Sequence, residues 1–291
     1  DWISQRSDDF ATWPVLATKA PSEKTTVFRT SSLGLVTSRD AWCYNSNKKT
    51  LRSSISKSIS FYNSEVDRMR ELVDSGVSAT DAAKTIIFDK TKFSWDRINK
   101  RQVTNGIYIT EQMDSYSPSL YRPFFPQHCY FDQRQQLNNC TYRLPSMFPT
   151  PQHTNIGFYV VGAGSAVPFG LIATDLLPNL HVTGAGSGGQ FFPRFTWEQV
   201  DTPEGELNLG HASPDKQAEP SRYGEIGEIM DGYRRVDNVT DEIKKRYREA
   251  LGDDVTGDDI FHYVYGQLHD PKYRETYEAD LKKMLPHIET P

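Results

Sequence analysis

Apolar and polar positions alternate irregularly over the first sixty residues. VFRTSSLGLVTSRDAWCYN sets β-branched and aromatic residues among Ser, Thr and Gly34, a pattern of strands and turns. From Asn63 the period becomes helical, with Val66, Met69 and Leu72 recurring among charges. A second helix starts at the Ser78 cap of SATDAAKTII, and a third near Ser94 in SWDRINKRQVTNG, stopping at Asn105-Gly106. IYITEQ then alternates as a short strand. The YRPFFPQHCYFD stretch carries too much proline for a long element, and NIGFYVVG reads as the central strand. HVTGAGSGGQFFPRF supplies a glycine-rich loop and a further strand.

Between Asp201 and Gly224 the chain holds Pro203, Pro214 and Pro220 and almost no aliphatic residues, so it reads as a loop or linker. The remainder is helical. Thr240 caps DEIKKRYREALG, and Thr256 with Asp259 forms a capping box. That box opens a helix whose Ile260, Phe261, Val264, Tyr265 and Leu268 share one face. Asp270-Pro271 begins a last helix, striped by Tyr273, Tyr277 and Leu281 and ended by Pro286. The expectation is an α+β fold in three parts. A β-rich body spans 1–200 with inserted helices near 63–104, a linker spans 201–224, and a C-terminal helical region spans 225–291.

Composition narrows the class. At 291 residues and 37% hydrophobic content the chain can bury a substantial core. No apolar run approaches the roughly 20 residues a membrane helix needs, and no signal peptide opens the chain. The start, DWISQRSDDF without a Met, suggests a fragment of a longer polypeptide. Cys43, Cys129 and Cys140 are odd in number and form no CxxC, which argues against disulfides or structural zinc and for a reducing cytoplasm. The net charge of −5 hides an asymmetry. Residues 201–291 carry 12 basic against 21 acidic side chains, whereas 1–200 carry 21 against 17. Any contact with nucleic acid must therefore come from a local basic face of the body.

Catalytic motifs fail on inspection. VVGAGSAVPFG has Val167 where a dinucleotide fingerprint needs glycine, and GAGSGGQF has Gln190 where a phosphate loop needs lysine. Both read as turns. Glu242-Ile243-Lys244 spells a nuclease-like triplet but sits in a helical segment, and no Pro-Pro exists to grip a flipped adenine. Recognition is harder to dismiss. NSNKKTLR and DQRQQLNNCTYR mix Lys and Arg, which hold phosphates and read guanine, with Asn and Gln, which read adenine. A solvated polar loop has the same composition.

Several stretches, in order, resemble the C-terminal region of type ISP restriction-modification enzymes. They are DWISQRSDDF, GLVTSRDAWCYN, ISFYN, FSWDRINKRQ, YRPFFPQHCYFD, MFPTPQHTNIGFYVVG, QFFPRF and YVYGQLHDPKYRETYEADLKKMLPHI, which together span nearly the whole chain. The chain departs at His287, where the family usually carries Arg.

The resemblance implies a non-catalytic target-recognition module. It would bind duplex DNA and present it to an upstream adenine-N6 methyltransferase and an ATP-dependent translocase and nuclease. S-adenosylmethionine, ATP and Mg2+ would belong to those upstream domains, with no cofactor in this segment and no membrane partner. Stretches shared by a family cannot encode targets that differ among its members. Base readers are therefore expected in 46–57, 133–144 and 181–190. The candidate DNA contacts are Arg39, Lys48, Lys49, Arg52, Arg122, Gln135, Asn138, Asn139, Arg143 and Gln190. Within YRPFFPQHCYFD, Tyr121, Phe124 and Tyr130 are expected to be buried, and Arg122 to tie loops together or meet a phosphate. The alternative is a docking module that joins methyltransferase to translocase and barely touches DNA.

Overall fold

The computed structural model describes residues 7, 9–18, 25–134, 136–137, 140–184, 186, 188–200 and 227–291. The expected 201–224 linker lies outside them. In chain order the helices are α1 (Asp40–Cys43), α2 (Lys48–Asp74), α3 (Ala79–Ala83), α4 (Arg97–Thr104), α5 (Asp241–Leu251), α6 (Gly257–His269), α7 (Pro271–Thr276) and α8 (Glu278–Leu281). The strands are β1 (Ser32–Leu33), β2 (Tyr44–Asn45), β3 (Tyr116–Arg122), β4 (Phe125–Tyr130), β5 (Gly157–Val161) and β6 (Leu171–Thr174). They continue with β7 (Leu177–Pro178), β8 (Gly189–Pro193), β9 (Phe195–Gln199), β10 (Ile229–Met230) and β11 (Tyr233–Asp237). The class is α+β.

By compactness the chain divides into unit 1 (Asp1–Gly34, Arg143–Leu176, Leu180–Pro291) and unit 2 (Leu35–Tyr142, Leu177–Asn179). The C-terminal helices share a unit with strands of the body.

Unit 1 is built on the sheet β1-β8-β5-β6, with β5 central as its GFYVV run suggests, and a smaller sheet β10-β11-β9. Phe158 of β5 anchors the core. Its ring lies 5.6 Å from Phe192 of β8, 5.7 Å from Phe28 and 5.2 Å from Phe261 of α6. The apolar face read for α6 is therefore spent on this sheet, and Ile260, Val264 and Leu268 are buried with it. In the glycine clusters, Gly164 and Gly186 turn the chain at positive φ, while Gly162 and Gly189 allow close packing. A Cβ on Gly162 would lie 2.2 Å from the Gly188 carbonyl, and one on Gly189 would strike the Tyr159 ring at 2.2 Å.

The capping box of Thr256 and Asp259 forms as expected, as does the Asp270 cap with Pro271 behind it. Thr240 does not cap α5 with its side chain; its hydroxyl donates to the Thr26 carbonyl at 2.6 Å. The last helix is interrupted at Tyr277, whose ring packs 4.9 Å from Phe10 and 5.2 Å from Trp13.

Unit 2 is the sheet β2-β4-β3-β7 with α2 as its principal helix. Three expectations are corrected here. First, α2 begins at Lys48, not Asn63. Leu51, Ile55, Ile59, Tyr62, Val66 and Met69 form its buried stripe. Serines between them, poor helix formers, blur the period in sequence. Second, YRPFFPQHCYFD is the heart of a hairpin, β3–β4. Pro118 and Pro126 are tolerated because the flanking strands are short. β7 pairs only with Ser119 and Leu120, and β2 only with His128 and Cys129. Third, IYITEQ is not a strand. Tyr62 donates to the Ile107 carbonyl at 3.0 Å, and the Asn63 amide takes both the N–H (3.0 Å) and the carbonyl (2.9 Å) of Ile109. Side chains of α2 hold groups that a ladder would have used. Ser78 caps α3 as read, whereas α4 is capped by Asp96 rather than from Ser94, and ends at Asn105-Gly106.

Two expectations for stability follow from these contacts. In unit 1, buried Arg194 places Nη1 at 2.7 Å from Asp237 and Nε at 2.6 Å from Asp258, tying β8–β9 to the start of α6. Arg194→Met should destabilise the protein by roughly 2 kcal/mol, because half-buried Asp237 loses its charged hydrogen-bond partner; an unshifted urea midpoint would refute this. In unit 2, burial alone would raise the pKa of Glu65, but paired bonds from Arg68 and the Ile87 N–H hold it below the usual carboxylate value. Its stabilisation is therefore complete above the unfolded value of about 4.3 and is lost as pH falls through the lower folded value. Between pH 5 and pH 3 the parent should lose more stability than Glu65→Gln, read from paired denaturation curves.

Candidate nucleic-acid interface

The start of α2 is an exposed, basic helix end in unit 2. The Asn47 side chain accepts the N–H groups of Lys49 and Thr50, and the first turn contains no acidic residue. Lys48 and Lys49 are exposed there, so two ammonium groups reinforce the positive end of a 27-residue helix. Such an end favours anions. Arg52 follows one turn later, exposed, with Nε 3.9 Å from Glu111. Lys57 continues the face from Lys49 through Ser53 at helical spacing, all three exposed. Lys57 becomes visible as part of this face only once α2 is known to begin at Lys48.

Arg39 is different and is corrected. It is only 6% exposed, and its Nη2 is held by Asp96 and by Asn99 Oδ1 at 2.6 Å. Asp96 also caps α4 through the Asn99 N–H at 2.8 Å. Arg39 thus fastens α1 to α4 from inside and offers no surface to a phosphate. Asn99 reaches on to the Gln136 carbonyl at 2.8 Å. Beside it, Asp132 accepts the N–H groups of Arg134 (3.1 Å), Gln136 (2.7 Å) and Leu137 (2.6 Å). Burial raises the Asp132 pKa, partly offset by those bonds. The DQRQQLNN segment is therefore pinned at Asp132 and Gln136. Gln135, Asn138 and Asn139 themselves lie outside the described residues.

The hairpin tip overturns another expectation. Tyr130 is buried and Tyr121 partly so, but Phe124 is 89% exposed and Phe125 50% exposed. Arg122 does tie loops together. Its guanidinium lies 4.0 Å over the Tyr121 ring and donates to Asn179 Oδ1 at 3.2 Å. The Tyr121 ring in turn packs 4.8 Å from Tyr44.

In unit 1, Arg143 and Gln190 meet the segment leading into β1. Arg143 donates to the Thr30 hydroxyl at 2.8 Å, and Gln190 accepts from Ser31 at 3.3 Å. Arg143 is exposed, while Gln190 borders a cavity of about 370 Å³ with Val15, Thr18 and Met284. His287, at the same cavity, is not a surface contact. Its ring lies 5.0 Å from Phe10, and its carbonyl accepts from Tyr273 at 2.7 Å.

The charged members of the Glu242-Ile243-Lys244 triplet are held in ion pairs on α5. Glu242 pairs with Arg246 at 3.0 Å, and Lys244 with Asp241 at 3.1 Å. Burial pushes the Cys43 thiol up to about 12, which keeps it protonated. No cluster of three His, Cys, Asp or Glu suited to a metal occurs among the described residues, and no helix among them is long and apolar enough to cross a membrane.

A family model for the type ISP C-terminal specificity domain matches residues 26–291. The chain belongs to this family. Three solved structures share the domain's fold over 99% of its length. One is a nuclease-deletion mutant of the type ISP restriction-modification enzyme LlaGI in complex with a DNA substrate mimic, at 26% identity and a TM-score of 0.72. The second is a DrdV–DNA complex, at 25% and 0.75. The third is the ATP-dependent type ISP enzyme LlaBIII bound to DNA, at 23% and 0.73. The specificity domain spans 22%, 24% and 16% of those chains. Comparison with curated protein sequences finds no match.

The buried role of Arg39 gives a direct check. Arg39→Met should lower stability by roughly 3 kcal/mol, since Asp96 and Asn99 lose their partner inside the fold. A variant with an unchanged urea midpoint would return Arg39 to the surface candidates.

Proposed function

We propose that this chain is the sequence-specific duplex-DNA recognition module of a type ISP restriction-modification enzyme. The observation that carries the reading is the exposed α2 start, where Lys48 and Lys49 crown a capped helix end free of acidic residues. Membership of the specificity-domain family, and the DNA-bound state of the similar structures, support it. Lys48, Lys49 and Arg52 set the register by phosphate contact, and Asn, Gln and Arg side chains of the neighbouring loops read base edges. The module itself is non-catalytic. It positions target DNA for an adenine-N6 methyltransferase and an ATP-driven translocase and nuclease in the same polypeptide. S-adenosylmethionine, ATP and Mg2+ are held by those domains.

The docking alternative is weaker. The aromatic faces of the C-terminal helices, which a docked partner would use, are occupied by the unit's own core, where Phe261, Leu268 and Tyr273 are buried.

The test is charge reversal. Lys48→Glu, Lys49→Glu and Arg52→Glu combined should weaken low-salt binding to random-sequence duplexes by at least tenfold. The dependence on salt should also become shallower by about one contact per charge removed. Unchanged affinity and salt slope, measured by fluorescence anisotropy on a folded variant, would defeat the reading.

A further inference from the structure

We propose that the tip of the β3–β4 hairpin is an apolar wedge that enters the base stack of duplex DNA, with Phe124 as the inserted ring. The inference rests on the DNA-recognition reading above. It begins from an outlier. Phe124 has φ +57°, in the left-handed region that bulky residues avoid. It follows Pro123 between the paired residues Arg122 and Phe125. Proline at the first central position and positive φ at the second are the signature of a type II turn, which ordinarily takes glycine or asparagine there. A phenylalanine is held there instead, and its ring is 89% exposed. Strain and exposure both oppose folding, so neither is explained by packing.

The surroundings suit a base stack. Pro123 fixes its own φ, and Pro126 stiffens the strand just behind the tip, so little is lost in ordering the wedge. The ladder register slips at Tyr121, between Leu120 and Arg122, as a bulge that sets the tip's direction. Arg122, stacked on Tyr121, stands at the base of the wedge. The strand register brings more charge to the same end. β2 runs antiparallel to β4, with Asn45 opposite His128, so the chain beyond Asn45 heads toward the tip and turns into Lys48 and Lys49. One protruding pair of rings flanked by cations matches DNA, whose bases are apolar on their faces and whose backbone is anionic. A protein partner would call for a broader apolar patch with few charges at its centre.

The experiment uses the protein as the cell makes it and duplexes selected by it from a random pool, with 2-aminopurine placed at successive positions. At saturating protein, the parent should give a several-fold fluorescence rise at one step that Phe124→Ala and Phe124→Gly reduce at least fivefold. Phe124→Trp should keep it. Affinity should fall roughly tenfold in the Ala variant, the scale of one lost stacking contact. Phe124→Gly should match or exceed the parent's urea midpoint, because glycine relieves the positive φ. Equal fluorescence in parent and variants, no unstacking at any position, or a lowered midpoint for Phe124→Gly would each overturn the wedge. A parent that selects no duplex at all would instead overturn the recognition reading on which it stands.

Discussion

Much of this chain is loop, and the peptide groups those loops bury must still find hydrogen-bond partners. A small set of buried and half-buried Asn and Asp side chains supplies them. Asn238 donates to the carbonyls of Thr30 (3.0 Å) and Pro193 (2.7 Å) and accepts the Thr30 N–H at 3.0 Å. Asn155 holds the carbonyls of Met147 and Phe195, and Asp132 collects three N–H groups of the turn that follows it. Asn63 and Asn99 do the same for the segments around Ile109 and Gln136. These residues act as substitutes for sheet ladders that the short strands cannot extend, and the path of the loops depends on them.

That arrangement separates support from presentation within unit 2. Arg39 and Asn99 lie inside and, with half-buried Asp96, fix α1 and α4, while Asp132 fixes the turn after β4. Outside remain the α2 start and the hairpin tip, where Lys48, Lys49, Phe124 and Phe125 are exposed. Interior hydrogen bonds of this kind are what let a few surface side chains be held in one geometry, as recognition of a particular sequence requires.

Local signals were legible where the physics is local. The Thr256–Asp259 box, the Asp270-Pro271 start and the Ser78 cap involve residues three or fewer apart, so the sequence carries them whole. GFYVV was readable as a central strand because burial on both faces leaves an unbroken apolar run. The front half of α2 was not readable, since its apolar stripe is interleaved with serines that equally fit turns. IYITEQ had the alternation of a strand, but its backbone partners are side chains from α2 more than forty residues earlier.

The sequence by itself determined the α+β class, the caps at Ser78, Thr256 and Asp270, the basic cast of the body and the family to which the chain belongs. Only the tertiary structure decided which of those basic and aromatic residues face solvent. Arg39 and Lys48 look alike in composition, yet Arg39 is drawn inward by Asp96, 57 positions along the chain, and Lys48 has no such partner among the described residues. Phe124 looked like a core residue and became the most exposed of the large apolar side chains described, because the hairpin turns at Pro123-Phe124 and leaves nothing beyond it to pack against. Burial is settled by partners distant in sequence, and a pattern confined to neighbours does not contain them.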